Sequence, residues 1–246
     1  MTTIQKIKRY ANPEAVAEAF ASELYRWVKQ AKKPVHIALS GGTTPALLFD
    51  VLARDYATKM PWKTIHFWWG DERCVAPTDA ESNYKMANDH LFSKIQVNPE
   101  LIHRVKGELS PEEATSAYLD EIERFVPQKN DWPAFGLIIL GMGNDGHTAS
   151  VFPHQMELLE SDRTCALATH PESGQKRVTL TGKVINNAER VFFLVTGKSK
   201  AGRMAELVNQ TDEAKQLPAY YILPKAANPV FFLDHDAASE LGPEGG

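Results

Sequence analysis

One imidazole and one carboxylate, two residues apart in a glycine-rich stretch, are the groups of this sequence best suited to move a proton. The stretch reads Gly141-Met-Gly-Asn-Asp-Gly-His-Thr148 and carries Asp145 and His147. Its glycines at 141, 143 and 146 let the backbone turn sharply and approach a ligand closely. A histidine titrates near neutral pH and suits general base catalysis. Asp145 has two roles open to it, orienting that ring or capping the segment that follows. A second stretch, Ser40-Gly-Gly-Thr-Thr-Pro45, places Gly41, Gly42, Thr43 and Thr44 between a strand and a helix. Unpaired N–H groups and the positive end of a helix dipole there suit an anion, although a hydroxyl-capped turn without ligand explains the same residues. Arg73 ends Gly70-Asp-Glu-Arg73 and has the planar fork that phosphate recognition favours, or else joins a surface ion network. Lys198, at the start of a later helix, is a further cation within reach of a phosphate or of water alone.

Competing chemistries fit less well. Gly141-Met-Gly-Asn-Asp-Gly146 matches G-x-G-x-x-G, but a dinucleotide fingerprint opens the first βα unit, and this one lies past mid-chain. Asp145, His147 and His154 do not share a helix face, and neither H-E-x-x-H nor paired-cysteine spacing is present, so no metal is expected. The G-x-S-x-G of serine hydrolases is absent. What remains is a site without metal or cofactor, suited to base-assisted chemistry on a phosphorylated metabolite.

The elements that must position these groups follow from the apolar pattern. Residues 137–140 are apolar on both faces, as in a buried parallel strand, and a short helix is expected after His147. Asn12-Pro-Glu14 opens a helix whose Val16, Phe20, Leu24, Trp27 and Val28 share one stripe. Strands are expected over 35–39, 65–69, 164–169, 177–181, 191–195, 218–222 and 230–233. Helices are expected after Pro45, over 83–92 and 111–125, from an opening at 196–200 to about 208, and as a last short turn capped by Asp236. Asn186-Asn187-Ala188 reads as a turn. Strands alternating with helices imply a doubly wound, mostly parallel α/β sheet with helices on both faces. The carboxyl edge of such a sheet is where ligands bind. One domain over residues 1–246 is expected, with room for a small subregion inserted around 75–130.

Composition narrows the partners. Twenty-seven basic against 31 acidic residues give a net charge of −4, which offers no footprint for nucleic acid or an anionic membrane. Cys74 and Cys165 are too few for a disulfide scaffold. Neither an apolar signal core nor a membrane-length apolar run is read, so a cytoplasmic protein, monomeric or a small homo-oligomer, is expected.

Taken together, the stretches resemble the 6-phosphogluconolactonases. The resemblance covers nearly the whole chain in matched order: Leu39-Ser-Gly-Gly-Thr-Thr-Pro45; Trp69-Gly-Asp-Glu-Arg73 with Ser82-Asn-Tyr84; Leu140 to Pro153; Arg177-Val-Thr-Leu-Thr181; and Gly197-Lys-Ser-Lys-Ala201. The run Gly143-Asn-Asp-Gly-His-Thr-Ala-Ser-Val-Phe-Pro153 is the specific piece. The resemblance implies hydrolysis of 6-phospho-D-glucono-1,5-lactone in the oxidative pentose phosphate pathway, without metal or cofactor. His147 is then the general base, kept neutral by a helix N-terminus. The phosphate is expected against residues 41–44, Arg73, Lys198 and Arg177, with Arg73 alternatively on the lactone carbonyl. The N–H groups of Gly42 and Gly143 are candidate oxyanion donors. The sister glucosamine-6-phosphate deaminase/isomerases carry Phe-Asn-Glu-Pro where this chain has Ala149-Ser-Val-Phe-Pro153, which lacks the ring-opening acid. A catalytically silent sugar-phosphate-binding protein is the remaining alternative.

Overall fold

The computed structural model describes residues 6–222 and 229–242. Its strands are β1 (Ile7–Tyr10), β2 (Val35–Leu39), β3 (Ile65–Trp69), β4 (Asp71–Arg73), β5 (Gln128–Lys129), β6 (Trp132–Pro133), β7 (Leu137–Leu140), β8 (Cys165–Thr169), β9 (Lys176–Leu180), β10 (Val191–Val195) and β11 (Val230–Asp234). The α-helices are α1 (Pro13–Gln30), α2 (Thr43–Asp55), α3 (Asn83–His90), α4 (Pro111–Phe125), α5 (Gly182–Asn187), α6 (Ala201–Asn209) and α7 (Pro218–Ile222).

Six strands form one sheet in the order β1-β11-β10-β7-β2-β3, and every neighbouring pair is parallel. A parallel sheet of this kind must be covered on both faces, and the apolar strands supply both. Successive residues of β7 feed opposite cores: Leu137 and Ile139 join the helices α1 and α2, while Ile138 and Leu140 join α4 and α5. Phe192 and Phe193 of β10 divide in the same way. Helix α1 buries Val16, Phe20, Leu24 and Val28, and Asn12 caps it by accepting from the Ala15 N–H at 2.9 Å. Burying each large side chain of that stripe contributes about 1.5–3 kcal/mol.

The strand order reverses at the middle of this sheet. From β2 the chain crosses to β3 on one side, and from β7 it proceeds to β10 and β11 on the other. The loops leaving the carboxyl ends of β2 and β7 therefore diverge and open a crevice between them. Beyond β3 the chain turns at Gly70 into β4, the edge of a separate antiparallel sheet ordered β4-β9-β8. Gly70 joins the two sheets, donating to the Leu39 carbonyl and accepting from the Leu180 N–H, each at 2.8 Å.

Five expectations are corrected. Residues 218–222 are helix α7, because a five-residue apolar run has no periodicity that separates a buried strand from a buried turn of helix. Asn186 and Asn187 end helix α5, and Asp236 lies in turns that never become a helix. The strands over 165–169 and 176–180 exist but belong to the small antiparallel sheet. No helix starts after His147: Ala149 takes φ 48°, and Val151 bridges back to Thr148 before a 3-10 segment at Pro153–Leu159.

Under the main sheet lies a stack of buried rings. The Trp68 indole N–H donates to His36 Nδ1 at 3.1 Å, which fixes that nitrogen as unprotonated. His36 stacks on His66 at 4.5 Å, His66 Nδ1 lies 2.9 Å from His103 Nε2, and His103 Nδ1 lies 2.8 Å from Glu121. Burial, then the neighbouring His66 and His103, push His36 down to about 4. The unfolded chain takes up this proton near 6.5, so folding stability falls as pH drops from about 6.5 towards 4. For His36 alone the slope approaches about 1.4 kcal/mol per pH unit. Thermal unfolding followed across that range is expected to show a falling Tm, and His36→Asn, which keeps an acceptor for Trp68, a flatter profile. Equal slopes would contradict the assignment.

Candidate functional site

A cleft of about 210 Å³ opens at the carboxyl ends of β2 and β7. Ser40, Gly41 and Gly42 wall it after β2, Gly141, Met142, Gly143 and His147 after β7, and Asp71, Arg73 and Arg177 from the small sheet. The backbone comes close here because glycine permits it. A Cβ on Gly143 would sit 2.1 Å from His147 Nδ1, and one on Gly41 1.9 Å from Asn83 Oδ1.

His147 Nδ1 lies 2.6 Å from Asp145 Oδ1, and the same oxygen accepts the His147 backbone N–H at 3.1 Å. Partial burial raises the Asp145 pKa, but the His147 hydrogen bond, its charge and its backbone N–H outweigh burial and hold the carboxyl at about 2. An ionised carboxylate only accepts, so Nδ1 carries the proton and Nε2 of the neutral ring keeps its lone pair. The helix end expected beside the ring is absent, and what Asp145 supplies is orientation. One oxygen both fixes the ring and ties down the turn.

The cations sit opposite. Arg73 and Arg177 are register partners across β4 and β9. Burial, followed by the charge of Arg73, lowers the Arg177 pKa. Arg177 packs over the Phe152 ring at 5.6 Å and donates through Nε to Gln175 at 3.2 Å. Arg73 donates from Nη1 to the Glu81 carbonyl, and its Nε is buried without a hydrogen-bond partner. Two guanidinium groups side by side give this edge of the cleft the geometry that suits a planar or tetrahedral anion.

Not every expected residue reaches the cleft. Thr43 is exposed at the start of α2, and Thr44 bonds Thr196 at 2.7 Å, so neither side chain lines it. The Gly143 N–H already donates to the His147 carbonyl at 2.8 Å, which leaves Gly42 (φ 103°) as the backbone donor of the expected pair. Lys198 is exposed. Lys200, two residues on, is half-buried and donates to Asn144 Oδ1 at 2.6 Å within the glycine turn. Either lysine of Lys198-Ser-Lys200 satisfies the same sequence signal, and only the fold separates them.

The sequence reading passed over the buried acids beside Arg73. Glu72 accepts from the backbone N–H groups of Asn83 at 2.8 Å and Tyr84 at 2.7 Å, and from Ser82 Oγ at 3.1 Å, so it holds the start of α3. Burial nonetheless pushes its pKa up. Asn83 in turn donates from Nδ2 to the Asp71 carbonyl at 2.9 Å and presses on Gly41. Among the described residues, no three His, Cys, Asp or Glu side chains are grouped to hold a metal ion.

Fold and cleft together define a doubly wound α/β protein whose cleft, at the topological switch point, sets two guanidinium groups and an oriented imidazole on its walls. The sequence profile described as "Glucosamine-6-phosphate isomerases/6-phosphogluconolactonase" matches residues 11–231. A 6-phosphogluconolactonase of Haemophilus influenzae is 46% identical over 215 residues, covering 86% of this chain and 90% of its own. One of Treponema pallidum is 41% identical, covering 88% and 89%. The solved 6-phosphogluconolactonase of Trypanosoma cruzi superposes with a TM-score of 0.88 at 27% identity, over 99% of both chains. The chain belongs to the glucosamine-6-phosphate isomerase/6-phosphogluconolactonase family.

Gly41→Ala tests the packing of the cleft wall. Its Cβ would overlap an Asn83 side chain that is fixed by Asp71, an overpacking that typically costs about 1–3 kcal/mol. A Tm lower by several degrees is expected, and an unchanged Tm would mean that Asn83 swings aside freely.

Proposed function

We infer that this chain hydrolyses 6-phospho-D-glucono-1,5-lactone to 6-phospho-D-gluconate in the oxidative pentose phosphate pathway, with His147 as general base. The observation that carries the mechanism is the 2.6 Å Asp145–His147 pair, whose histidine opens onto the same cleft as Arg73 and Arg177. The names of relatives sharing over 40% of their residues with nearly the whole chain support the substrate.

Nε2 of His147 takes a proton from water as its oxygen attacks the lactone carbonyl. The tetrahedral intermediate then collapses, the ester bond to the ring oxygen breaks, and the imidazolium returns its proton to the departing oxygen. Asp145 stabilises the imidazolium while it exists. The phosphate sits against the N–H groups that open α2 and against Arg177, where burial of the cation strengthens the attraction. The run Ala149-Ser-Val-Phe-Pro153 supplies no carboxylate for opening an amino-sugar ring, which disfavours the deaminase reading. One domain carries the whole site, so a monomer or a small homo-oligomer would serve equally. Among the described residues no helix is long and apolar enough to cross a membrane, in keeping with work in the cytoplasm.

Lactone disappearance, with spontaneous hydrolysis subtracted, is the measurement. His147→Ala is expected to lower kcat by about 10²–10⁴-fold. A normal kcat would remove the base from the mechanism, and absent turnover by the unmodified chain would point to ammonia release from glucosamine 6-phosphate. Arg177→Ala is expected to raise KM roughly ten- to hundredfold, the loss of one charged hydrogen bond. If Arg73→Ala instead collapses kcat at constant KM, that guanidinium serves the lactone carbonyl.

A further inference from the structure

A carboxylate in a cleft built for an anion needs an explanation. Asp71 lines the cleft within the field of Arg177, yet it makes no ion pair within 4.0 Å among the described residues. Its residue is 6% exposed and its side chain is held firmly. Oδ2 accepts from the hydroxyl of Ser150 at 2.6 Å, and Ser150 is fully buried. Ser150 is itself fixed, its backbone N–H donating to Thr179 Oγ1 at 3.2 Å, and Thr179 is the register partner of Asp71. The Asp71 carbonyl accepts from Asn83. Oδ1 of Asp71 has no protein donor among the described residues and is not among the enclosed orphan atoms.

An acceptor of fixed direction beside a cleft is suited to a donor on the ligand. A phosphate there would meet repulsion, and so would the carboxylate of the product. A sugar hydroxyl meets neither and gains a charge-assisted hydrogen bond. We propose that Asp71 Oδ1 accepts a hydrogen bond from one ring hydroxyl of the phosphorylated lactone, and that Ser150 is the positioning residue that fixes the carboxylate for it. The cleft then reads three parts of its substrate with separate groups: Arg177 and the α2 turn the phosphate, His147 the carbonyl carbon through water, and Asp71 a hydroxyl.

This rests on the lactonase reading, which turnover of the parent lactone by the unmodified chain tests on its own. The discriminating experiment compares kcat/KM for the parent lactone with that for its 2-, 3- and 4-deoxy analogues. Variants are Asp71→Ala, Ser150→Ala and the double variant, which leaves no buried hydroxyl without a partner. In the unmodified enzyme one analogue is expected to fall about ten- to hundredfold below the parent, the loss of one charged hydrogen bond. In Asp71→Ala and in the double variant that ratio collapses towards one, because no acceptor remains to tell parent from analogue. Ser150→Ala gives an intermediate ratio, with the carboxylate present but free to turn. A purely structural role would lower all substrates together and leave the ratio intact. That result, or an unmodified enzyme indifferent to all three analogues, overturns the proposal.

Discussion

Two neighbouring parallel strands whose onward connections run in opposite directions leave the space above their carboxyl ends uncovered. That constraint, met between β2 and β7, is what the chemistry of this protein depends on. It requires the chain to leave both strands steeply, which places Gly41-Gly42 on one side and Gly141 and Gly143 on the other. It also puts the first N–H groups of α2 and the turn bearing His147 on facing walls. The six-stranded core, buried on both faces by alternating residues, carries these loops and with them the 2.6 Å contact between Asp145 and His147.

Acidic side chains serve as scaffold around this crevice. Asp145 accepts the backbone N–H of His147, Glu72 those of Asn83 and Tyr84, and Asp234 those of Gly197 and Ala237. In each case a carboxylate satisfies amides that loop geometry would leave unpaired. Two guanidinium groups thus share a cleft with acids in a chain with no excess of basic residues: Asp145, Glu72 and Asp234 are turned into the backbone, and Asp71 alone of these lines the cleft beside Arg73 and Arg177 without such a bond.

Legibility in the sequence followed the range of the interaction. The β7 run, the capped stripe of α1 and the glycine turn with its imidazole are signals carried within a dozen residues, and the fold has them where periodicity and capping put them. The sheet to which β8 and β9 belong was not readable, because pairing with β4 is decided by residues about a hundred positions away. The absence of a helix after His147 turns on the left-handed backbone of Ala149, a conformation that alanine does not advertise. Lys200 rather than Lys198 meets the glycine turn for a similar reason, since the phase of a short 3-10 segment decides which of two like residues points inward. Glu72 read as part of a surface cluster, and only the packing of α3 encloses it.

The two halves of the cleft stand on different scaffolds. His147 and Asp145 hang from the parallel sheet, whereas Asp71, Arg73 and Arg177 ride on the antiparallel one, joined to it through Gly70. The two are nonetheless tied together, because Ser150, three residues past His147, holds Asp71 and is held by Thr179. Substitutions on β4 or β9 therefore change one wall of the cleft and also the anchors of the segment that carries the imidazole. A lineage built on this plan can vary the three-stranded appendage without renegotiating the core that made the crevice, but not without touching the turn beside the imidazole.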